Sequence, residues 1–444
     1  MASLSKYKEY KESEFVGIGA VPKHWQIKRL KHLGEAIIGL TYSPNDVIEN
    51  EEGILVLRSS NIQEGVIAFD DCVYVNKEVS PNLITQKGDI LICARNGSAH
   101  LVGKNICIDE KSAGHTFGAF MVVFRGKYWR YFSYFFNSPI FTSQTGMFST
   151  TTINQLTSQT LNNLRIAFPS DKTEQENICN YLDDQTQKID RLIANKKAQA
   201  EKLKELRQIE INNAVTKGLN SKAEMKDSGI EWLGKIPRHW DINRLKNVTH
   251  VNQDVIAEKT PPDYEIKYID IGNVTSTGEF LELQEMTFSE APSRARRKVK
   301  HNSIILSTVR TYLRAIAFVQ NPDENLIAST GFAVIDAFEN LFDARYLFYQ
   351  MTSHIVVERV IANSDGVSYP AISSTKLGDI KVIIPPKEEQ ELISSYLETR
   401  IQSIDNLIKN IEAQIESLQQ LRKIKIYEAV TGKINVNAYA EATA

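Results

Sequence analysis

The side chains best suited to grip a polyanion are gathered in three stretches. "ARNGSAHLVGKN" (94–105) holds Arg95, Asn96, His100 and Lys104 around a glycine-containing loop, and Lys111 follows it. "SRARRKVKH" (293–301) crowds Arg294, Arg296, Arg297, Lys298 and Lys300 together, and "TVRTYLRA" (308–315) adds Arg310, Tyr312 and Arg314. Arginine and asparagine read base edges through paired hydrogen bonds in the major groove, and lysine and arginine neutralise phosphates. The run from 294 to 300 is therefore expected to touch phosphate. Arg95, Arg310 and Arg314 are candidates for base contact.

Catalytic chemistry is harder to find. "TPPDY" (260–264) resembles the Asp/Asn-Pro-Pro-Tyr motif of amino-methyltransferases, but Asp263 separates the prolines from the ring and Thr260 stands where an amide or acid is needed. No glycine-rich loop for S-adenosylmethionine follows a strand pattern. "PDYEIK" (262–267) contains the acids and lysine of many metal-dependent nucleases. Those acids sit on neighbouring strands, whereas only Tyr264 separates Asp263 from Glu265. The eight histidines form no HExxH, no His/Cys cluster has ligand spacing, and there is no Walker loop. The chain is expected to be non-catalytic and to hold no cofactor or metal.

Bulk properties narrow the partners. A chain of 444 residues with 42% hydrophobic content implies several domains with real cores. No apolar run reaches the ~18 residues of a membrane span. The start, "MASLSKYKEYKESEF", lacks the apolar segment of a secretory signal, so a cytoplasmic location is expected. Cys72, Cys93, Cys107 and Cys179 form no CxxC and read as reduced core thiols. With a net charge of −2, nucleic-acid binding must come from local clusters rather than a global field.

The elements that would position these residues come in duplicate. "VPKHWQIKRLKH" (21–32) returns as "IPRHWDINRLKN" (236–247), and 215 residues separate Trp25 from Trp240. The same offset carries "EQENICNYL" (174–182) onto "EQELISSYL" (389–397), Ile189-Asp190 onto Ile404-Asp405, and Leu203, Leu206 and Arg207 onto Leu418, Leu421 and Arg422. This is an internal duplication in which the frame is kept and the middles, roughly 40–160 and 255–375, diverge. Two stretches free of Pro and Gly, Thr173–Val215 and Lys387–Val430, predict long helices. In the second, Leu397, Ile401, Ile404, Ile408, Ile411, Ile415 and Leu418 form an a/d seam. The first is weaker, with Thr186 and Lys196 on the seam, so the two helices are expected to pack on each other. The middles hold short β-rich runs such as "DILICAR", "FMVVFRG" and "SIILSTVR". They also hold helical stretches at 127–141 and 343–362. "KGDILICAR" (87–95) echoes "HNSIILSTVR" (301–310), and "GLNSKAEMKDSG" (218–229) marks the junction between halves.

These residues carry a resemblance. "DSGIEWLGKIPRHWDINRLK" (227–246), a variable middle, and "IPPKEEQELISSYLETRIQSIDNLI" (384–408), all repeated in the first half, resemble the specificity subunits of type I restriction–modification enzymes. The first copy departs in having Gly17 where the second has Trp232, and a single Pro169 against Pro385-Pro386. The resemblance implies an α+β fold: two α/β target recognition domains separated by two long antiparallel coiled-coil helices, with an internal pseudo-twofold repeat. It implies recognition domains over 1–168 and 236–384, spacer helices over 169–219 and 385–433, a linker at 220–235 and a tail at 434–444. It also implies double-stranded DNA, two modification (methyltransferase) subunits and two restriction (endonuclease/translocase) subunits as partners. S-adenosylmethionine, ATP and Mg would sit on those partners and not on this chain. The competing expectations are a coiled-coil interaction scaffold that binds no specific DNA, and an enzyme fused to its own recognition domain.

Overall fold

The computed structural model describes residues 5–15, 17–49, 52–63, 65–146 and 155–437. Two compact units divide the chain within its long helices: Met1–Lys196 together with Ala413–Ala444, and Lys197–Glu412.

The first unit is built on an antiparallel sheet in the order Asn105–Cys107, Ile90–Cys93, Met121–Arg125, Glu35–Ile38. Every side chain of Ile90–Cys93 is buried, because the strand has a core on each face. Ile90 and Ile92 pack with the helices, while Leu91 and Cys93 pack toward a second sheet. Alternate residues point to opposite faces, so a strand covered on both sides reads as an unbroken apolar run. The second sheet runs Thr116–Phe117, Ile54–Leu57, Tyr74–Val75, Val47–Ile48, and its first pair is parallel.

The second unit repeats this plan. Thr249–Val251, Phe332–Ala337, Ile304–Ser307 and Ile316–Phe318 form the antiparallel sheet. Ile304 and Leu306 face one core and Ile305 the other. Gln284–Thr287, Glu265–Ile269, Leu326–Ser329 and Ala295–Lys298 form the second sheet, again with one parallel pair.

Both predicted helical stretches of the middles are broken in two. The first unit has Trp129–Phe136 and Pro139–Gly146, and the second has Ala344–Thr352 and His354–Ala362. Pro139 has no N–H to continue the first helix. At the break, Ser138 Oγ donates to the Phe135 carbonyl and Ser353 Oγ to the Gln350 carbonyl, both at 2.6 Å. The junction is likewise more than a linker, since Met225–Asp227 pairs antiparallel with Lys235–Pro237.

The long helices run Lys172–Lys217 and Lys387–Val430. Gly218 (φ 72°) and Gly432 (φ 67°) follow them in the left-handed conformation that closes a helix C-terminus. In the second unit the helix segments lie antiparallel: Arg207 Nε bonds Asp405 Oδ1 at 2.9 Å, and Arg400 Nε bonds Glu210 Oε1 at 3.1 Å. Leu397, Ile401, Ile404 and Ile408 are buried there. In the first unit Arg422 Nε bonds Asp190 Oδ1 at 2.9 Å, which is the Arg207–Asp405 pair moved by the repeat offset. Thr186 is buried in this seam, with its hydroxyl donated to the Leu182 carbonyl at 2.6 Å.

The duplicated His-Trp pair now has a physical role. Trp25 is fully buried, and its Nε1 donates to Glu174 Oε1 at 3.1 Å while His24 Nε2 lies 3.0 Å from Oε2. Trp240 Nε1 donates to Glu389 Oε2 at 2.9 Å, with His239 Nε2 2.6 Å from Oε1. Each glutamate sits in the first turn of its long helix, where the helix dipole favours a negative charge. The clamp fastens the start of each long helix to the start of its own recognition region. At the other end of the helices, the buried hydroxyl of Tyr131 is shared between the Ala167 carbonyl at 2.9 Å and the Val430 carbonyl at 3.2 Å, and that of Tyr346 donates to the Val215 carbonyl at 3.2 Å.

Candidate nucleic-acid interface

In the first unit, the C-terminal ends of three strands converge. Asn96 Nδ2 donates to Ser59 Oγ at 3.2 Å, Gly118 N to the Leu57 carbonyl at 3.1 Å, and Ala94 N and Arg95 N both to the Phe120 carbonyl. This gathers Arg58, Ser59, Arg95, Asn96 and Phe120 at one edge. The loop after Ile90–Cys93 is closed at its base, where Cys93 N donates to the Lys104 carbonyl and Gly103 N to the Cys93 carbonyl, both at 2.8 Å. Asn96 Oδ1 accepts from Ser98 N at 3.0 Å and orders the turn that carries exposed His100. Lys104 stands half-buried at the loop base.

Lys111 is not part of this group. Ile90 pairs with Cys107 and Ile92 with Asn105, so the turn at 108–112 lies at the opposite end of the hairpin from Arg95. Its neighbour Asp109 is held below the usual carboxylate range by the Ser112 side chain and by backbone N–H groups, which keeps a negative charge there.

The basic run at 293–301 does not form a single patch either. Ala295–Lys298 is a strand with a bulge between Ala295 and Arg297, so its side chains diverge. Arg294 Nη2 bonds Asp270 Oδ2 at 2.7 Å and its Nε donates to the Tyr268 hydroxyl at 3.1 Å. Arg296 lies over the Phe288 ring. Arg297 is half-buried, its Nε is without a hydrogen-bond partner, and burial lowers its pKa. Lys298 is exposed beyond it. Lys300 sits 3.3 Å from Asp336 and 3.5 Å from Asp254, at the far end of the strand.

The loop after Ile304–Ser307 is tighter. Arg310 (φ 52°, ψ 50°) and Arg314 (φ 55°, ψ 33°) are both left-handed and flank a single turn, Thr311–Leu313. Such non-glycine conformations cost of order 1–3 kcal/mol and gather at functional sites. Thr311 is buried against Ser364, which leaves Tyr312 half exposed. Arg314 is anchored to Glu358 at 2.7 Å. Arg310 N donates to the Pro370 carbonyl at 2.7 Å, and its guanidinium lies over the Tyr369 ring.

Arg294 and Arg310 share an edge, because Thr330 N donates to the Arg294 carbonyl and Thr308 N to the Gly331 carbonyl. Beside them stands the hairpin at 364–371. It is closed by reciprocal 2.8 Å bonds between Asp365 and Ala371 and braced by Lys376 on Asp365. Val367 at its tip is fully exposed. Sequence reasoning missed Phe120, Val367 and Tyr369, because it searched for basic side chains. The available signal was an exposed-type loop, "NSDGVSYP" (363–370), that nonetheless carries Val and Tyr. One repeat earlier this loop falls at 148–155, of which all but Gln155 lie outside the described residues.

Strand pairing also refines the echo between the halves. Cys93 pairs with Met121 and Ser307 with Phe332. Arg95 therefore takes the place of Val309, and Asn96 that of Arg310. Among the described residues no group of three or more His, Cys, Asp or Glu could hold a metal ion, and no helix is long and apolar enough to cross a membrane. Burial pushes the thiols of Cys107 and Cys179 up to about 12, which makes them poor nucleophiles.

Comparison with known proteins places this geometry in context. The family model described as type I restriction modification DNA specificity domain matches twice, at residues 22–202 and 237–417. The type I restriction enzyme MjaVIII specificity subunit of Methanocaldococcus jannaschii is 25% identical over 447 residues, covering 97% of this chain and 97% of that protein. The MjaIX specificity subunit of the same organism is 23% identical over 451 residues, covering 96% and 97%. A chain solved in a study of complex assembly and conformational transition of the type I R-M system shares the fold. Its TM-score is 0.66 at 14% identity, with 92% of this chain and 98% of that chain covered.

Proposed function

Since the chain belongs to the type I restriction–modification DNA specificity family, we propose that it reads a bipartite DNA target, one recognition region per half-site, and catalyses no reaction itself. The observation that carries this reading is that the two family matches fall on one repeated frame holding two different middles. A duplicated frame does one job twice, and unlike middles recognise unlike things. We assign recognition to residues 1–168 and 236–384. The spacer role falls to the helices within 169–219 and 385–433.

The chain binds double-stranded DNA and assembles with other subunits: two modification subunits, with S-adenosylmethionine, and two restriction subunits, with ATP and Mg. The complex works in the cytoplasm, where its DNA is. The near-neutral charge of the chain fits an assembly in which the partners supply much of the phosphate neutralisation.

A domain swap tests the reading. Residues 40–160 are replaced by the corresponding segment of another family member, and the target of the assembled methyltransferase is read by methylome sequencing. One half-site is expected to change while the other is retained. A change in both half-sites, or in neither, overturns the two-reader assignment.

A further inference from the structure

Among the described residues, each unit has one arginine lying over an exposed aromatic ring. Arg95 Cζ is 5.3 Å from the centroid of Phe120, and Arg310 Cζ is 4.4 Å from that of Tyr369. The rings are 61% and 63% exposed, so neither is a core residue that the arginine merely covers. The two pairs are not copies of one ancestral pair. Phe120 precedes the strand Met121–Arg125, where the second unit has Gly331 before Phe332–Ala337. Tyr369 comes instead from the 364–371 hairpin. The arginines also occupy different strand positions. The same device has been assembled twice, from unrelated residues, at the same end of the same strand of the fold.

The neighbouring arginines are engaged differently. Arg58, Arg294 and Arg314 are each neutralised by a carboxylate, Asp71, Asp270 and Glu358, at 2.7–2.8 Å. Among the described residues, Arg95 and Arg310 have neither an ion-pair partner nor a side-chain hydrogen bond. A ring beneath the guanidinium restricts its rotamers through a cation–π contact and takes up none of its N–H donors. A phosphate contact requires only a nearby positive charge. A preset guanidinium with all five donors free suits a partner that presents two acceptors side by side, and on a base pair that partner is guanine, through O6 and N7 in the major groove.

We propose that Arg95 and Arg310 each read one guanine, one in each half-site, with Phe120 and Tyr369 as positioning residues that hold the guanidinium. This rests on the DNA-reading function proposed above. Arg294 and Arg314, already neutralised, support the loops and do not choose bases.

The test uses the chain assembled with its modification subunits and a randomised DNA pool. Wild type is expected to select a target with a G·C pair in each half-site at which 7-deazaguanine, which lacks the N7 acceptor, weakens binding. Arg310→Gln should weaken cognate binding about ten- to a hundredfold, as expected for loss of one bidentate base contact. It should relax one position in one half-site, and 7-deazaguanine at that position should then cost nothing more. Arg95→Gln should do the same in the other half-site. Retained selectivity at the untouched half-site shows that each variant is folded. Tyr369→Ala should lose part of the guanine preference and Tyr369→Phe should keep it.

An Arg310→Gln or Arg95→Gln complex that selects the wild-type target at every position overturns the proposal. So does a uniform loss on all sequences with a shallower salt dependence, which marks a phosphate contact. A wild-type complex that selects no sequence at all would overturn the functional reading itself.

Discussion

At the residue scale, the two Glu–Trp–His clamps are the same chemistry in different degrees of burial. Glu174 is 4% exposed at the side chain and Glu389 39%. Each accepts from the indole N–H of a buried tryptophan, so removing the carboxylate strands that donor. The cost of an unsatisfied buried donor is about 1–3 kcal/mol. Glu174→Leu should therefore destabilise the protein by about that amount, each kcal/mol lowering Tm by about 2–4 °C in a unit of this size. Glu389→Leu should cost less, because the position of its carboxylate is open to solvent and water can take its place as acceptor, and Glu174→Gln, which keeps an acceptor, should be nearly silent. Thermal melts of the three variants check the order. Equal losses for Glu174→Leu and Glu389→Leu would show that burial does not set the strength of the clamp. The His-Trp and Glu-Gln motifs were visible in the sequence as repeats, but their contact with each other was not. Nothing in spacing shows that residues 149 and 150 positions apart meet. The arginine–aromatic pairs were illegible for the same reason. Arg95 and Arg310 stood out by charge, whereas Phe120 and Tyr369 lie 25 and 59 residues away and carry no charge to flag them.

At the element scale, the long helices were readable almost to the residue because they contain no breaker and carry a 3.5-residue seam. The central strands were readable as apolar runs, since cores on both faces remove the polar half of the usual alternation. The break after Ser138 is marked in the sequence by Pro139, which cannot continue a helix, whereas the break at Ser353 was not readable, because a serine hydroxyl bonded to a carbonyl three residues back looks in sequence like an ordinary helical serine. The basic run at 294–300 reads in sequence as one patch. A strand period and a bulge distribute it over two faces and two ends of a sheet, and only the structure shows which. The seam makes a quantitative contrast. Ile404 is 2% exposed within an apolar cluster, so Ile404→Ala should cost about 2–5 kcal/mol through lost contacts and a cavity. Thr186 is also buried, at 6% exposed, but its hydroxyl bonds a carbonyl already engaged in the helix. Thr186→Val should change stability by less than about 1 kcal/mol. Denaturant unfolding of both variants decides the point, and a large penalty at Thr186 would mean that its hydroxyl has a partner that sets the helix pairing.

At the scale of the whole molecule, the repeat converts one protein problem into two similar ones, each built with segments of both long helices. Helices of 46 and 44 residues, at 1.5 Å per residue, are about 65–70 Å long. A rod of that kind has a fixed length, whereas a flexible linker would give a distribution of lengths and therefore tolerate variable gaps in the DNA. If the paired helices set the spacing between half-sites, inserting four residues near Ala200 adds one turn, about 6 Å of helix. Because a helical turn is close to four residues, the seam residues after the insertion keep nearly the same face toward their neighbour helix, and pairing survives with a shifted register. At 3.4 Å per base pair, the gap between the two half-sites should lengthen by about one or two base pairs, with the bases in each half-site unchanged. Mapping the methylated sites of a complex carrying the insertion measures this directly. A longer gap with both half-sites intact assigns the spacing to the helices. An unchanged gap with full activity would mean that the recognition regions find their spacing by some other contact, and that the rods serve only to fasten the chain together.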